Sequence, residues 1–252
     1  MNQNGKNEKS GGYFQMSKFD FVEDFEGEAK IKVIGVGGGG GNAINYMIEK
    51  GIDGVEFAAF NTDSQALASS NAHERLELGS YETKGLGAGA NPEVGRQAAE
   101  ASHDEILKSV EGYDMIFLIA GLGGGTGTGA LPVIANIARE AGALTVGVVS
   151  LPFIFEAKKR TDRAIQGLKE MEGSVDTYIV VPNNRLSEYL KTIGKSMTAK
   201  NAFNEVNNIS LQSIRGITDT IKNPGLINLD FADVRTIMTS GGSSIMGMGS
   251  GS

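Results

Sequence analysis

The chain has 252 residues, a net charge of −7, 36 glycines, two histidines, no cysteine and no tryptophan. It is long enough for one large domain or two small ones. The composition excludes a disulfide scaffold, a thiolate nucleophile and any Cys-ligated metal. His73 and His103 leave little for a histidine metal site, and the acidic balance argues against broad binding to nucleic acid or an anionic membrane.

Residues 1–29 read as a polar, then acidic leader, with Asp20, Glu23, Asp24, Glu26 and Glu28 close together. It lacks a signal-peptide apolar stretch, and no segment reads as a membrane span, so a cytoplasmic location is expected. From residue 30 strand-like and helix-like stretches alternate. A strand at 30–36 (KIKVIGV) runs into GGGGGN, and 42–50 has helical spacing at Ala43, Ile44, Met47 and Ile48. Strands at 55–60 and 75–78 precede a helix over 92–110 with Pro92 in its first turn. A strand at 114–120 then meets GLGGGTGTG. Further elements are a helix at 131–141, a strand at 144–150, a charged amphipathic helix at 156–171 and a strand at 175–181. Helices at 184–190 and 199–221 complete the pattern, the second stopped by Asn223-Pro224-Gly225. Such alternation implies a Rossmann-like α/β fold, a mostly parallel sheet with helices on both faces. Ligands of such folds bind at the carboxyl ends of the strands.

Sixteen of the 36 glycines fall in three windows, 35–41, 85–95 and 121–129. A strand, consecutive glycines and a helix start together suit phosphate, because the backbone approaches closely and aims several N–H groups one way. The windows hold almost no Lys or Arg, so an anion there must be neutralised by backbone dipoles and a metal. Gly35-x-Gly37-x-x-Gly40, followed by Asp63, also fits a dinucleotide fingerprint. The run Gly123 to Gly129 is poor packing material, and the Thr126 and Thr128 hydroxyls would serve as extra donors to a polyphosphate. A Walker loop is excluded: Gly194-Lys195-Ser196 lacks the earlier glycine, with Tyr189 in its place.

GGGTGTG is the signature of the tubulin and FtsZ superfamily, which the chain resembles over nearly all of residues 30–249. The resemblance extends to IKVIGVGGGGGNAI, VEFAAFNTDSQAL, GLGAGANPEVGR, PFIFEAKKR, PNNRL and NPGLINLDFADVRTIM, in that order. It implies a GTP-binding domain with its central helix over 30–222, a catalytic loop and following helix over 223–240, and the start of a second domain at 241–252. It further implies a cytoplasmic GTPase that joins copies of itself head to tail in filaments of the division ring, without inserting into membrane. GTP or GDP would be bound, with Mg²⁺ on the phosphates. Gly38, Gly39, Gly40, Gly41 and Asn42 would hold phosphate and approach the guanine. Gly87, Ala88, Gly89, Ala90 and Asn91 would sense the γ-phosphate. Gly124, Gly125, Thr126, Gly127 and Thr128 would wrap the phosphates, Glu156 and Arg160 would contact the ribose edge, and Asn183 the base. Asn228, Asp230 and Asp233 would form the catalytic loop, entering the pocket of the next subunit. Read from the residues alone, Glu156 and Arg160 are an i,i+4 surface pair, and the acidic residues are a helix N-terminus that explains Asp233 better than Asp230.

The chain departs from the family at Asn208, where a carboxylate reads guanine, which predicts weaker or less selective GTP binding. Ala157 stands where the family usually has glycine. Most of the second domain, and the tail that meets other division proteins, is expected to be missing. Two other readings stay open: a module that binds GTP but assembles and hydrolyses poorly, and a Rossmann-type dehydrogenase.

Overall fold

The computed structural model describes residues 29–192, 198–222, 230–239 and 242–244. One parallel sheet has strand order β3-β2-β1-β4-β5-β6-β7. Its strands are β1 (Ile31–Val36), β2 (Glu56–Asn61), β3 (Glu74–Glu77), β4 (Met115–Gly121), β5 (Leu144–Leu151), β6 (Thr177–Pro182) and the two-residue β7 (Gly242–Ser243). Every residue of β1 is buried, as are all but the last of β4. Burial on both faces is why these strands read as unbroken apolar runs instead of alternating. Lys32 is the exception in β1. Its Nζ donates to Glu74 Oε2 at 2.6 Å and to the Ser109 carbonyl at 2.7 Å, and lies 4.6 Å from the Tyr113 ring centroid. The buried charge is thus fully partnered.

Ten α-helices accompany the described strands. They are α1 (Gly37–Lys50), α2 (Ser64–Ala68), α3 (Ser80–Thr83), α4 (Pro92–Ala101), α5 (His103–Val110), α6 (Thr126–Glu140), α7 (Lys158–Glu172), α8 (Asn183–Thr192), α9 (Ala199–Lys222) and α10 (Phe231–Thr239). One core joins Ile34, Phe60, Leu118 and Leu131 on the α4–α6 face. A second joins Val33, Met47, Phe117, Leu211 and Val234 beneath α1, α9 and α10, and a third, smaller one joins Phe153, Val181, Ala202 and Val206. A membrane-crossing helix is not found among the described residues.

Three expected elements differ in extent, and the short helices α2 and α3 add to the expected set. The helix expected over 92–110 is two, because Ser102 leaves helical geometry at ψ 24 and its Oγ accepts the Gly79 N–H at 2.9 Å. The helices expected to start at 42 and 131 start at Gly37 and Thr126, inside the glycine windows. The segment 223–229, with Asn228, and most of residues 1–29 and 241–252 lie outside the described residues.

Candidate functional site

β1 and β4 are neighbours, pairing Val36 with Ala120; β1 runs directly into α1, and β4 reaches α6 through the short loop Leu122 to Gly125. Neither α1, whose N-cap is Val36, nor α6, whose N-cap is Gly125, has a side-chain cap. Their first N–H groups lack intrahelical partners. The two N-termini abut: a Cβ on Gly37 would lie 2.8 Å from the Gly127 nitrogen, and one on Gly39 would lie 3.1 Å from the Gly121 nitrogen. Two uncapped, adjacent helix N-termini make a concentrated anion site.

The glycines around it divide into two sets. A Cβ on Gly38, Gly41, Gly89 or Gly124 would meet nothing within 4 Å, so these leave open space. Gly40, Gly125, Gly127 and Gly129 instead let backbones touch. A Cβ on Gly40 would lie 2.3 Å from the Ile119 carbonyl oxygen, and one on Gly129 would lie 1.8 Å from that of Pro92. Part of GGGTGTG is therefore packing, contrary to expectation, because α4 crosses α6 too closely for any side chain.

The threonines are also partly engaged. Thr126 Oγ1 is 2.6 Å from Thr62 Oγ1. Thr128 is 2% exposed and its Oγ1 accepts the Gly123 N–H at 2.8 Å, which shapes the loop and leaves the hydroxyl little reach toward a ligand. Asp63, the acidic residue of the dinucleotide fingerprint, caps α2, accepting from the Gln65 and Ala66 N–H groups at 2.9 and 3.1 Å. Both bonds are accepted by Oδ1, so the presence of Asp63 is explained by the cap without a ribose ligand.

The turn at 87–91 lies over the α6 N-terminus. Gly87 donates to the Thr62 carbonyl at 3.0 Å, and Asn91 donates to that of Ala88 at 2.9 Å. Asn91 Oδ1 caps α4 through the Glu93 N–H at 3.1 Å. A Cβ on Gly125 would lie 2.7 Å from that of Ala88, so the turn rests directly on the loop that leads into α6.

From the anion site a cleft of about 870 Å³ runs toward α9. Gly38, Gly39, Asn42, Glu156, Arg160 and Asn183 line it. Glu156 Oε2 and Arg160 Nε pair at 3.1 Å, and Glu156 Oε1 accepts the Phe153 N–H at 2.9 Å. The pair is thus held at the cleft wall and is not a free surface pair. Asn183 is 2% exposed, and its Oδ1 has no hydrogen-bond partner. A buried acceptor left unpaired is costly, so one facing a cleft fits a ligand that donates to it.

Sequence reasoning missed several lining residues, among them Lys50, Lys200 and Phe203. Lys50 and Lys200 bring positive charge to the cleft from the end of α1 and the start of α9, beside the acidic Glu49 and Glu156. Phe203, 41% exposed, offers a ring edge-on to Phe153 at 5.2 Å. Phe203 shares the apolar face of α9 with Val206, Ser210 and Ile214, so the helical period alone did not set it apart. On α9 the lining includes Asn204 and Asn207, whereas Asn208 is half-buried outside it and donates to Glu205 Oε2 at 3.4 Å.

Asp230 and Asp233 do not line this cleft. Asp230 Oδ1 accepts the Asp233 N–H at 2.8 Å, so Asp230 caps α10 and the helix N-terminus explains it as well as Asp233. Both residues are exposed. Arg235, farther along α10, donates to the Gly142 carbonyl just before β5, whereas the cleft takes Ser150 and Leu151 at the far end of that strand. Arg235 thus anchors α10 at the end of β5 opposite to the end that lines the cleft.

Residues 30–191 match the Tubulin/FtsZ family, GTPase domain. A cell division protein FtsZ of Coxiella burnetii is 56% identical over 231 residues, 92% of this chain and 59% of that protein. An empty FtsZ dimer of M. jannaschii is similar in structure, with TM-score 0.81 and 42% identity over 87% of this chain and 63% of that one. CetZ2 of Haloferax volcanii, a GTPgS-bound protofilament, gives TM-score 0.69 and 26% identity over 85% of this chain and 64% of that one. The chain therefore spans about six-tenths of the length of these relatives.

Proposed function

From the premise that this chain belongs to the tubulin/FtsZ family through its GTPase domain, we propose a cell-division protein that binds and hydrolyses GTP and associates with its own copies head to tail. The phosphates sit on the joined N-termini of α1 and α6, where Gly38, Gly41 and Gly124 leave room for them. The ribose edge meets Glu156 and Arg160. The base reaches Asn183, with Asn42 and Asn207 nearby and the Phe203 ring as an apolar face. Asn208 reads the base only if it leaves Glu205.

The unpaired Asn183 Oδ1 carries the binding reading, since a purine N–H supplies the donor that the fold does not. A fluorescent GTP analogue should bind saturably and be displaced by GTP but not by NAD. Displacement by NAD alone would restore the dehydrogenase reading.

Hydrolysis needs a positioned water and stabilised charge. Asp230 and Asp233 supply exposed carboxylates, but they stand at the opposite end of the sheet from their own cleft, so in this reading they serve the cleft of the next copy. One face then meets a different face of its neighbour, and the contact repeats in an open filament. In this reading Mg²⁺ is held through the phosphates. When bound, it neutralises phosphate charge.

A further inference from the structure

Ala90 adopts φ 60, a left-handed conformation uncommon for alanine, in the turn that rests on the α6 N-terminus. One contact to this turn comes from a different element. Arg163, in the second turn of α7, donates from Nη1 to the Ala90 carbonyl, while its Nε donates to the Lys159 carbonyl at 3.2 Å. Among the described residues no carboxylate forms an ion pair with Arg163. The same helix carries Arg160, whose carbonyl oxygen would lie 2.4 Å from a Cβ on Gly123. The start of α7 therefore touches the cleft wall, the phosphate loop and the 87–91 turn.

The sheet order orients these contacts. Asn183 follows β6 and the turn hangs from Thr62 after β2, with β5, β4 and β1 between them. Four strand spacings are about 19 Å, the span of an extended nucleoside triphosphate. A ligand whose base meets Asn183 has its terminal phosphate at the turn.

We infer that Arg163 is a positioning residue for that end of the site. Its bond to the Ala90 carbonyl holds the turn against α6, and its unneutralised charge favours a triphosphate over a diphosphate. The inference rests on the guanine-nucleotide reading above. Arg163→Met should weaken binding of a non-hydrolysable GTP analogue about tenfold, the effect of one charge-assisted contact, and change GDP affinity less than about twofold. Arg163→Lys, which keeps a donor and the charge, should recover most of the loss. In the nucleotide-free chain, amides of 88–91 should exchange faster in Arg163→Met while the unfolding midpoint barely moves. Equal loss for both nucleotides, or unchanged affinity and exchange, overturns the inference. Faster exchange in a chain whose wild type binds no guanine nucleotide overturns the reading of the cleft, and the triphosphate preference with it.

Discussion

The Asp230 carboxylate accepts the Asp233 backbone N–H at 2.8 Å, so one of the two proposed catalytic acids caps the helix that carries the other. Charge and cap separate on substitution, because Asn caps about as well as Asp and Ala does not. Asp230→Asn should abolish most GTP turnover with the urea midpoint nearly unchanged. Asp230→Ala should lose turnover and also about 1 kcal/mol of stability. A midpoint that falls equally in both variants contradicts the cap assignment.

The two sets of glycines predict opposite outcomes for the same substitution. Gly38→Ala adds a methyl to helical open space, so the nucleotide-free chain should gain up to about 1 kcal/mol while GTP affinity drops. Gly129→Ala must push α4 off α6, because its Cβ would lie 1.8 Å from the Pro92 carbonyl oxygen. Overpacking of that kind costs about 1–3 kcal/mol, and the upper end is expected here. Denaturant titrations with and without GTP distinguish the two.

Ala157 sits at φ 80 and ψ 147, a region that strains any residue with a Cβ. Strain there is worth about 1–3 kcal/mol, and the extra freedom of glycine in the unfolded chain offsets about 0.4–1 kcal/mol of its relief. Ala157→Gly should raise stability by about 1 kcal/mol. A lowered unfolding midpoint would show that the Glu156–Arg160 wall depends on the alanine.

Asn183→Ala removes a buried acceptor that has no partner, so the nucleotide-free chain should lose less than about 1 kcal/mol. GTP affinity should fall about tenfold, which is one hydrogen bond at roughly 1.4 kcal/mol. Calorimetric titration measures both. Unchanged affinity in a folded variant would move the base elsewhere.

Much of this molecule was legible in its residues, for physical reasons. Strands buried on both faces leave apolar runs such as MIFLIAG, and two strand-to-glycine junctions marked the adjacent N-termini of α1 and α6. Elements of four or five residues, such as α2 and α3, are too short to show a period. A glycine that leaves room for phosphate and one that lets α4 touch α6 are identical letters; only packing separates Gly38 from Gly129. Lys50 reaches the cleft at the far end of α1, and Lys200, far in sequence from every glycine window, reaches it at the start of α9. Asn207 and Asn208 differ by one position, about 100° around α9, so only one of them lines the cleft.

The central claim is that the cleft of one copy is completed by Asp230 and Asp233 of another. GTP turnover per molecule, measured against chain concentration in the presence of Mg²⁺, tests it most directly. Turnover should climb steeply with concentration, and adding Asp230→Asn in excess should suppress the wild type as copies with an incomplete loop enter the filaments. A rate per molecule independent of concentration would contradict the shared site, and GTP binding without turnover at any concentration would leave a nucleotide-binding module in its place.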